Sequence, residues 1–362
     1  MVVVSLHPCR CLSIVQLMSA TNDLLQFTAV EPPGFDASVV AEAVTQQFGL
    51  AGDYALLVSE RDQNFCLTTV SRDRYLVKVT SPGEPHEVTD FQIAALNHLA
   101  NCGVSGVPRN VQTISGGNRG SIQSDDGAVL CLRVLTWLNG SLLDDSEITP
   151  ELACSLGDRL ADLDTALSSF EHESDGQASL WDTQRAGQLR SLLVHVSDSV
   201  VRQQLEAVLD VFEEQVTPAL KLLPRQVIHN DANTENILLD TSGDLSGIID
   251  FGDLLRAPRI VEVSTAAAYL RPTDGDPLRL LVPLVAGYHQ KNPLSAPELD
   301  VLFDLILTRL AMTVILFYWR LAARDKEDPY LQKLLDSEGG AFAFLQNLSG
   351  IGRDEVRARI TP

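Results

Sequence analysis

Sulfur chemistry is what this chain is least equipped for. Its six cysteines, Cys9, Cys11, Cys66, Cys102, Cys131 and Cys154, are scattered through 362 residues without a CxxC or a Cys/His pairing. That pattern excludes a zinc site and a disulfide framework, and it reads as reduced thiols, mostly small core residues, in a cytoplasmic protein. Positive charge is also scarce: 27 Lys and Arg stand against 48 Asp and Glu, a formal charge of -21. A phosphate backbone would be repelled, so nucleic acid is not expected as a partner. Long apolar runs are missing too. The most apolar segment, Leu299 to Ala323, is interrupted by Asp304, Arg309 and Arg320, and the uncharged stretch Leu310 to Trp319 is too short to cross a bilayer. It reads as a buried helix, and no membrane partner is expected. There are no internal repeats and no low-complexity tracts.

The apolar start Met1 to Leu17 carries Arg10 in its middle and lacks the basic start, clean hydrophobic block and cleavage site of a signal peptide. Met18-Ser19-Ala20-Thr21 reads as a more ordinary beginning, and residues 1–34, closed by Pro32-Pro33-Gly34, are expected to form a poorly ordered extension. With 45% hydrophobic residues the remainder can fill a large core, divided between two lobes. The surplus carboxylates are mainly a soluble acidic surface. Any of them that line a cleft would draw in a cationic substrate.

What the chain does have is concentrated in two short stretches. His229-Asn230-Asp231-Ala232-Asn233-Thr234-Glu235-Asn236 has the order His-x-Asp-x-x-x-x-Asn, and Ile248-Ile249-Asp250-Phe251-Gly252-Asp253 places an Asp-Phe-Gly after an apolar strand. Between them, Ile237-Leu238-Leu239 followed by Asp240-Thr241-Ser242-Gly243-Asp244 predicts a strand, a tight turn and a second strand. Such a hairpin would bring Asn236 and Asp250 to one end, able to share Mg²⁺, with Asp231 beside them to accept a hydroxyl proton. A lone His-x-Asp usually makes turn or capping bonds; the specificity lies in the conjunction. Phosphoryl transfer needs these groups because the enzyme works by placing the nucleophile and neutralising charge.

A nucleotide half is expected upstream. Tyr54–Val58, Phe65–Val70 and Tyr75–Val79 read as strands, and Lys78 lies in the last of them with apolar neighbours on both sides. A lysine there is either on a wet edge or clamps the α- and β-phosphates, and the downstream motifs favour the clamp. The loop Ser59 to Asn64 lacks the glycines of a protein-kinase phosphate loop, so Gln63, Asn64 and backbone amides are expected to meet phosphates. A helix over Glu87–Asn101 should bring Gln92 to Lys78, with Glu87 as the fallback partner. Gln92 is a departure, since an amide can accept a hydrogen bond but cannot neutralise the lysine. The strand Val129 to Leu138, which contains Leu135 and Trp137 and runs into Asn139-Gly140, is a natural hinge whose free backbone groups would pair with a purine edge.

Further helices are predicted over Asp36–Phe48, N-capped by Asp36 or Ser38, over Glu151–Ser168, and once or twice within Arg185–Val216. Pro258 to Leu270 should pack beneath the metal loop, braced by Glu262. His289, Tyr288, Phe317, Tyr318 and Trp319 are candidates for a substrate pocket, although helical aromatics are more often core. Asp253 is the best single candidate to meet a substrate ammonium, and Asp231 would share that task.

Taken together, the chain resembles the aminoglycoside phosphotransferase and choline kinase superfamily. Ser59-Glu60-Arg61-Asp62-Gln63-Asn64-Phe65, Leu135-Thr136-Trp137-Leu138-Asn139-Gly140, His229 to Asn233 and Asp250 to Asp253 are similar to the hydroxylysine-kinase group, which includes kinase modules fused to class III aminotransferases. The similarity covers roughly Phe27 to Tyr288, and no aminotransferase segment is present. The resemblance implies an α+β, two-lobed protein-kinase-like fold, with a small antiparallel-sheet N-lobe for nucleotide over 35–138 and a larger, mainly helical C-lobe for catalysis and acceptor over 139–362. It implies transfer of the γ-phosphate of ATP or GTP, with Mg²⁺, to the hydroxyl of a small amine-bearing molecule. The alternatives on the same scaffold are an antibiotic-modifying phosphotransferase and a nucleotide-binding pseudokinase that serves as an interaction module; only Gln92 lends support to the second.

Overall fold

The computed structural model describes residues 32–177, 179–272, 274–323 and 340–361. The expectations for residues 1–31, and with them Cys9 and Cys11, lie outside the described residues.

Five antiparallel strands build the first lobe: β1 (Gly52–Leu57), β2 (Gln63–Thr69), β3 (Arg74–Val79), β4 (Gly120–Gln123) and β5 (Val129–Thr136), in the order β1-β2-β3-β5-β4. The register sets Lys78 opposite Asn64 on one side and Arg133 on the other. Alternation along β2 and β3 sends Phe65, Leu67, Val77 and Val79 into a small core, which is closed by Val40, Val44 and Phe48 of helix α1 (Ala37–Phe48). Asp36 occupies the N-cap position of α1 with extended backbone, yet its side chain makes no capping bond. Gly49 ends that helix in the left-handed conformation at φ 70°, where glycine carries no Cβ penalty. Helix α2 (His86–Asn101) uses Phe91, Ala95, Leu96 and Leu99 to join the main core of the molecule.

The second lobe is mainly helical. Helix α3 (Pro150–Leu167) starts on a capping bond from Leu152 N–H to the Thr149 hydroxyl, with proline at its first position. The helices expected within Arg185–Val216 are present, the first of them as a 3-10 helix. Thr183–His195 is a 3-10 helix that buries Thr183, Ala186, Leu189 and Leu192. Those residues are spaced by three, the repeat of a 3-10 turn rather than an α turn. Helix α4 (Ser199–Val211), capped by Asp198, then continues through a π turn at Phe212–Val216 into α5 (Thr217–Leu220).

Short strands carry the motifs. β6 (Ser141–Leu142), β8 (Ile237–Leu239) and β9 (Leu245–Ile248) form one small sheet, and β7 (Arg225–Ile228) pairs with β10 (Leu255–Pro258) in another. The predicted hairpin is therefore present as β8 and β9. Its turn is tied by Asp240, whose carboxylate accepts the N–H groups of Ser242 and Asp244.

Helices α6 (Ile260–Tyr269), α7 (Leu281–Lys291), α8 (Ala296–Ala323), α9 (Ala341–Ile351) and α10 (Arg353–Ile360) complete the lobe. α3 and α7 meet backbone to backbone. A Cβ on Gly157 would lie 2.0 Å from the Leu284 carbonyl oxygen, and one on Gly287 would lie 2.1 Å from that of Cys154. Helix α8 is the one described helix long and apolar enough to cross a membrane, but 89% of its apolar window is buried within the protein, the mark of a core helix.

Candidate active site

Two adjoining cavities lie where the lobes meet. One, of about 310 Å³, is walled by Lys78, Asp231, Asn236, Asp250 and Asp253 together with the loop after β1 and Trp181, Tyr269 and Arg320. The other, of about 380 Å³, is more apolar; Leu57, Val58, Leu76, Leu96, Leu135, Trp137, Leu138, Leu142, Leu238 and Phe251 line it, and it shares Asn64, Lys78, Asn236 and Asp250 with the first. The predicted lysine, base and metal residues thus converge, as does Asn64. The shape suits a purine in the apolar chamber and its phosphates in the polar one.

The loop that carries Asp231 is held by identifiable contacts. His229 is fully buried, its Nε2 bonded to the Ile249 carbonyl (3.1 Å) while Nδ1 accepts the Asp231 N–H (3.3 Å). Its ring also stands edge-on to Phe251 at 4.7 Å. The motif histidine is therefore structural, locking the Asp231 loop to the strand that presents Asp250. Asn230 adopts the left-handed conformation at φ 65° and donates its N–H to Glu262 (2.7 Å), the expected brace beneath the loop. Asn233 donates to one oxygen of Asp231 (3.0 Å) and Asn236 donates to the other (2.7 Å) and to the Asp231 carbonyl (2.9 Å). With its NH₂ held there, the Asn236 amide oxygen is left for a ligand. Asp250 sits at φ 57° and accepts the Gly252 N–H through one oxygen (3.1 Å).

These donors fit a magnesium ion. Among the described residues no group of three His, Cys, Asp or Glu side chains could hold a metal. The available set is one carboxylate, one amide oxygen and the space beside them, which matches a cation that completes its shell with water and phosphate oxygens. The buried Asn64 Oδ1, on a residue that lines the same cavity, has no hydrogen-bond partner.

Charge balance differs within the cleft. Lys78 is 7% exposed and its ammonium lies 3.1 Å from Asp62, which also accepts the Ser81 N–H (2.9 Å). Burial disfavours the Lys78 charge, but Asp62 and Asp250 together hold its pKa above the ordinary lysine value. Burial likewise works against the Asp62 carboxylate, yet Lys78, the Ser81 N–H, Arg61 and Arg133 bring it below the usual range. Asp250 is also depressed, its burial outweighed by Lys78 together with Arg61 and His229. Asp231 goes the other way. Burial and then Asp253 push its pKa well above the usual carboxylate range, Asp250 adds to the rise, and Arg309 only partly offsets it.

Several expectations need correction. Gln92 does not serve Lys78: its oxygen accepts from Arg133 (2.7 Å) and its NH₂ donates to the Gly252 carbonyl (3.1 Å), so it ties α2 to the Asp-Phe-Gly turn. Asp62 takes the role expected of Gln92 or Glu87. Gln63 turns away from the phosphates, because its amide is fully used by the Phe35 backbone N–H and carbonyl (2.9 and 2.8 Å). The N–H of Trp137 is not free for a purine edge, being donated to the Arg74 carbonyl (3.3 Å), so Trp137 contributes a wall, with Arg74 stacked on its ring at 5.0 Å. Two of the proposed pocket aromatics are scaffold: Tyr288 is buried and bonds Asp164 (2.6 Å), and neighbouring His289 accepts the Leu294 N–H (3.1 Å). Asp253 does face the cleft, though Ser179 donates to it (2.9 Å) and Arg61 lies 3.7 Å away.

Sequence reasoning also missed residues. Arg309 is fully buried, donates to the Trp181 carbonyl (2.8 Å), stacks on the Trp181 ring (4.6 Å) and brings Nη2 to 3.6 Å from Asp231. Arg320 reaches across to Glu60 in the loop after β1 (2.6 Å). The signal was present: two arginines in an otherwise apolar helix need buried partners.

The chain is similar to known proteins in sequence and in fold. The chain is similar to hydroxylysine kinase of Danio rerio, 26% identical over 347 residues that span 92% of this chain and 96% of that protein. It is likewise similar to hydroxylysine kinase of Mus musculus, 26% identical, with 91% and 94% covered. Among solved structures, the amicoumacin kinase hAmiN in complex with AMP-PNP, Ca²⁺ and Ami superposes with a TM-score of 0.64 at 15% identity, covering 91% of this chain and 96% of that one. A microcompartment-associated aminopropanol kinase superposes at 0.63 and 17% identity, covering 88% and 99%. The pattern of the phosphotransferase enzyme family matches residues 55–298, well over half of the sequence. With Lys78, Asp231, Asn236 and Asp250 assembled between two lobes, the chain belongs to the phosphotransferase enzyme family, as a kinase of the α+β protein-kinase-like fold.

Proposed function

We propose that the protein transfers the γ-phosphate of ATP or GTP to a hydroxyl of a small amine-bearing metabolite of the hydroxylysine or amino-alcohol type, in the cytoplasm. The observation that carries this reading is the charge of the polar cavity, where seven carboxylates face three cationic side chains, Arg61, Lys78 and Arg320. A substrate ammonium would be drawn into such a chamber, and the full-length similarity to hydroxylysine kinases supports an acceptor of that kind.

Residues 35–138 supply the donor side and 139–362 the acceptor side. Lys78, fixed by Asp62, holds the α- and β-phosphates. Asn64, Leu135 and Trp137 bound the nucleotide. Asn236 and Asp250 hold Mg²⁺, which supplies positive charge to the triphosphate. Asp231 orients the acceptor hydroxyl and takes its proton as the oxygen bonds to the γ-phosphorus and the bond to the nucleoside diphosphate breaks. An elevated proton affinity suits Asp231 to that task, and Asp253 beside it meets the ammonium of the acceptor. Asp62 also removes the argument for a catalytically silent scaffold, since the lysine has its carboxylate after all.

Initial rates with 5-hydroxylysine, ethanolamine, choline, homoserine and aminoglycosides, each with ATP and with GTP, test the reading. Turnover of an amino alcohol or hydroxylysine is expected. Turnover confined to an aminoglycoside would move the protein to the antibiotic-modifying class.

A further inference from the structure

A third cavity, of about 410 Å³, adjoins the polar chamber that holds Asp231. The two share Asn233, Glu235 and Tyr269 as walls. Asn233 is also the residue that donates to Asp231 (3.0 Å), so the passage begins beside the proposed base. Beyond it the lining becomes dipolar: Asp144, Glu147 and Glu235 supply negative charge, and Arg271 and Arg279 supply positive charge. Arg271 is stacked on Tyr269 at 5.0 Å and donates Nε to the Ala268 carbonyl (2.8 Å). Arg279 differs, because its Nε is buried and has no hydrogen-bond partner.

A buried guanidinium N–H without an acceptor is costly unless a ligand provides one. The planar fork of arginine matches a carboxylate. An acceptor whose hydroxyl lies at Asp231 and whose chain passes Asn233 would place its far end in this chamber. A simple amino alcohol such as ethanolamine carries no carboxylate and leaves the Arg279 Nε–H without an acceptor. An α-amino acid group supplies both halves of the match, a carboxylate for Arg279 and an ammonium for the acidic wall. We infer that this side chamber is a subsite for the α-amino acid end of the acceptor, with Arg279 as its carboxylate-binding residue. The inference rests on the amine-bearing acceptor proposed above and narrows it to hydroxy amino acids.

The experiment compares 5-hydroxylysine with its decarboxylated counterpart, 1,5-diaminopentan-2-ol, in the wild type and in Arg279→Met. The wild type should prefer the amino acid in kcat/KM by roughly tenfold or more, and Arg279→Met should reduce that preference by a similar factor through KM for the amino acid rather than through kcat. An unchanged preference in a variant that still binds nucleotide with wild-type affinity overturns the subsite. So does a wild type that uses the diamine as well as the amino acid, which needs no variant at all. Phosphorylation of the diamine but not of the amino acid sinks the subsite and leaves the kinase reading standing, whereas phosphorylation of neither sinks both.

Discussion

The two sides of the cleft handle buried charge in opposite ways. On the donor side the Lys78 ammonium and the Asp62 carboxylate lie 3.1 Å apart, and each holds the other in its charged form. On the acceptor side and beneath it, Asp231, Asp164 and Glu262 are buried carboxylates whose proton affinity is raised, burial being the first cause in each case. Glu84 is an exception within the donor side, raised by burial and by Asp62. The difference teaches where ligand charge is missing. The Lys78–Asp62 pair is already neutral and fixed. The side of Asp231 is short of positive charge, and a carboxylate in that condition is the more avid for a proton.

Breaking the acceptor side should have the largest effect. Asp231→Asn keeps the size but leaves one acceptor oxygen for two donating amides and cannot take a proton, so kcat should fall by roughly 10²- to 10⁴-fold while nucleotide affinity stays near wild type. Stopped-flow or coupled-assay turnover beside nucleotide titration reads both, and equal turnover in the two proteins removes Asp231 from its role. Asp250→Ala should match that loss in turnover and also weaken binding of the metal–nucleotide complex.

The donor side should respond in affinity and stability together. Lys78→Met removes the phosphate clamp and strands Asp62, and Asp62→Asn strands the lysine. Loss of one partner from a buried pair costs about 3–5 kcal/mol in general. Both variants should therefore lower Tm and nucleotide affinity. Asp62 also sets a pH signature. Its folded pKa is depressed, so its contribution is fully present above the ordinary aspartate value and fades as pH falls below about 4. Asp62→Asn should flatten that acid limb of the stability profile. Gln92→Ala is the sharpening control: it should weaken the tie to Gly252 while the Lys78–Asp62 pair persists, and an affinity loss equal to that of Asp62→Asn would return Gln92 to the lysine.

Helix packing should be less severe. Gly157→Ala puts a methyl group where the Leu284 carbonyl already stands, and overpacking of this kind costs about 1–3 kcal/mol. Thermal unfolding should show the loss with kcat unaltered at low temperature.

The sequence disclosed those parts of the site that depend on neighbours along the chain. Asp231, Asn236 and Asp250 are joined by one hairpin, so spacing alone brings them together. The strands, α2, α3 and the buried nature of α8 followed from periodicity for the same reason. Pairings across the lobes were not legible. Asp62 is one acidic residue in a polar turn, and only the β2–β3 register and the fold of that turn bring it to Lys78. Arg309 and Arg320 were visible as charges in an apolar helix, but a helix 28 residues long does not reveal which element each of its faces will meet. The helices expected within Arg185–Val216 are present, but an apolar spacing of three, close to helical periodicity, does not tell the 3-10 turn of Thr183–His195 from an α turn.

The smallest effect belongs to the deepest carboxylate, and its sign is the test. Asp164 is fully buried, accepts the Tyr288 hydroxyl (2.6 Å) through one oxygen and has no partner for the other. Burial, and then Glu262, raises its pKa well above the usual range. A raised carboxyl pKa means that the folded state holds its proton more tightly than the unfolded chain does. The favourable contribution is therefore complete below the ordinary aspartate value of about 3.9 and is lost as pH rises through the folded pKa. Asp164→Asn keeps an acceptor for Tyr288 and removes the charge, so it should leave Tm at pH 7 unchanged or raise it by about 1–3 °C, and flatten the decline of stability on the neutral side. Its pH dependence should run opposite to that of Asp62→Asn. Parallel profiles for the two variants would mean that both carboxylates are stabilised as anions, and the contrast between the two sides of the cleft would be lost.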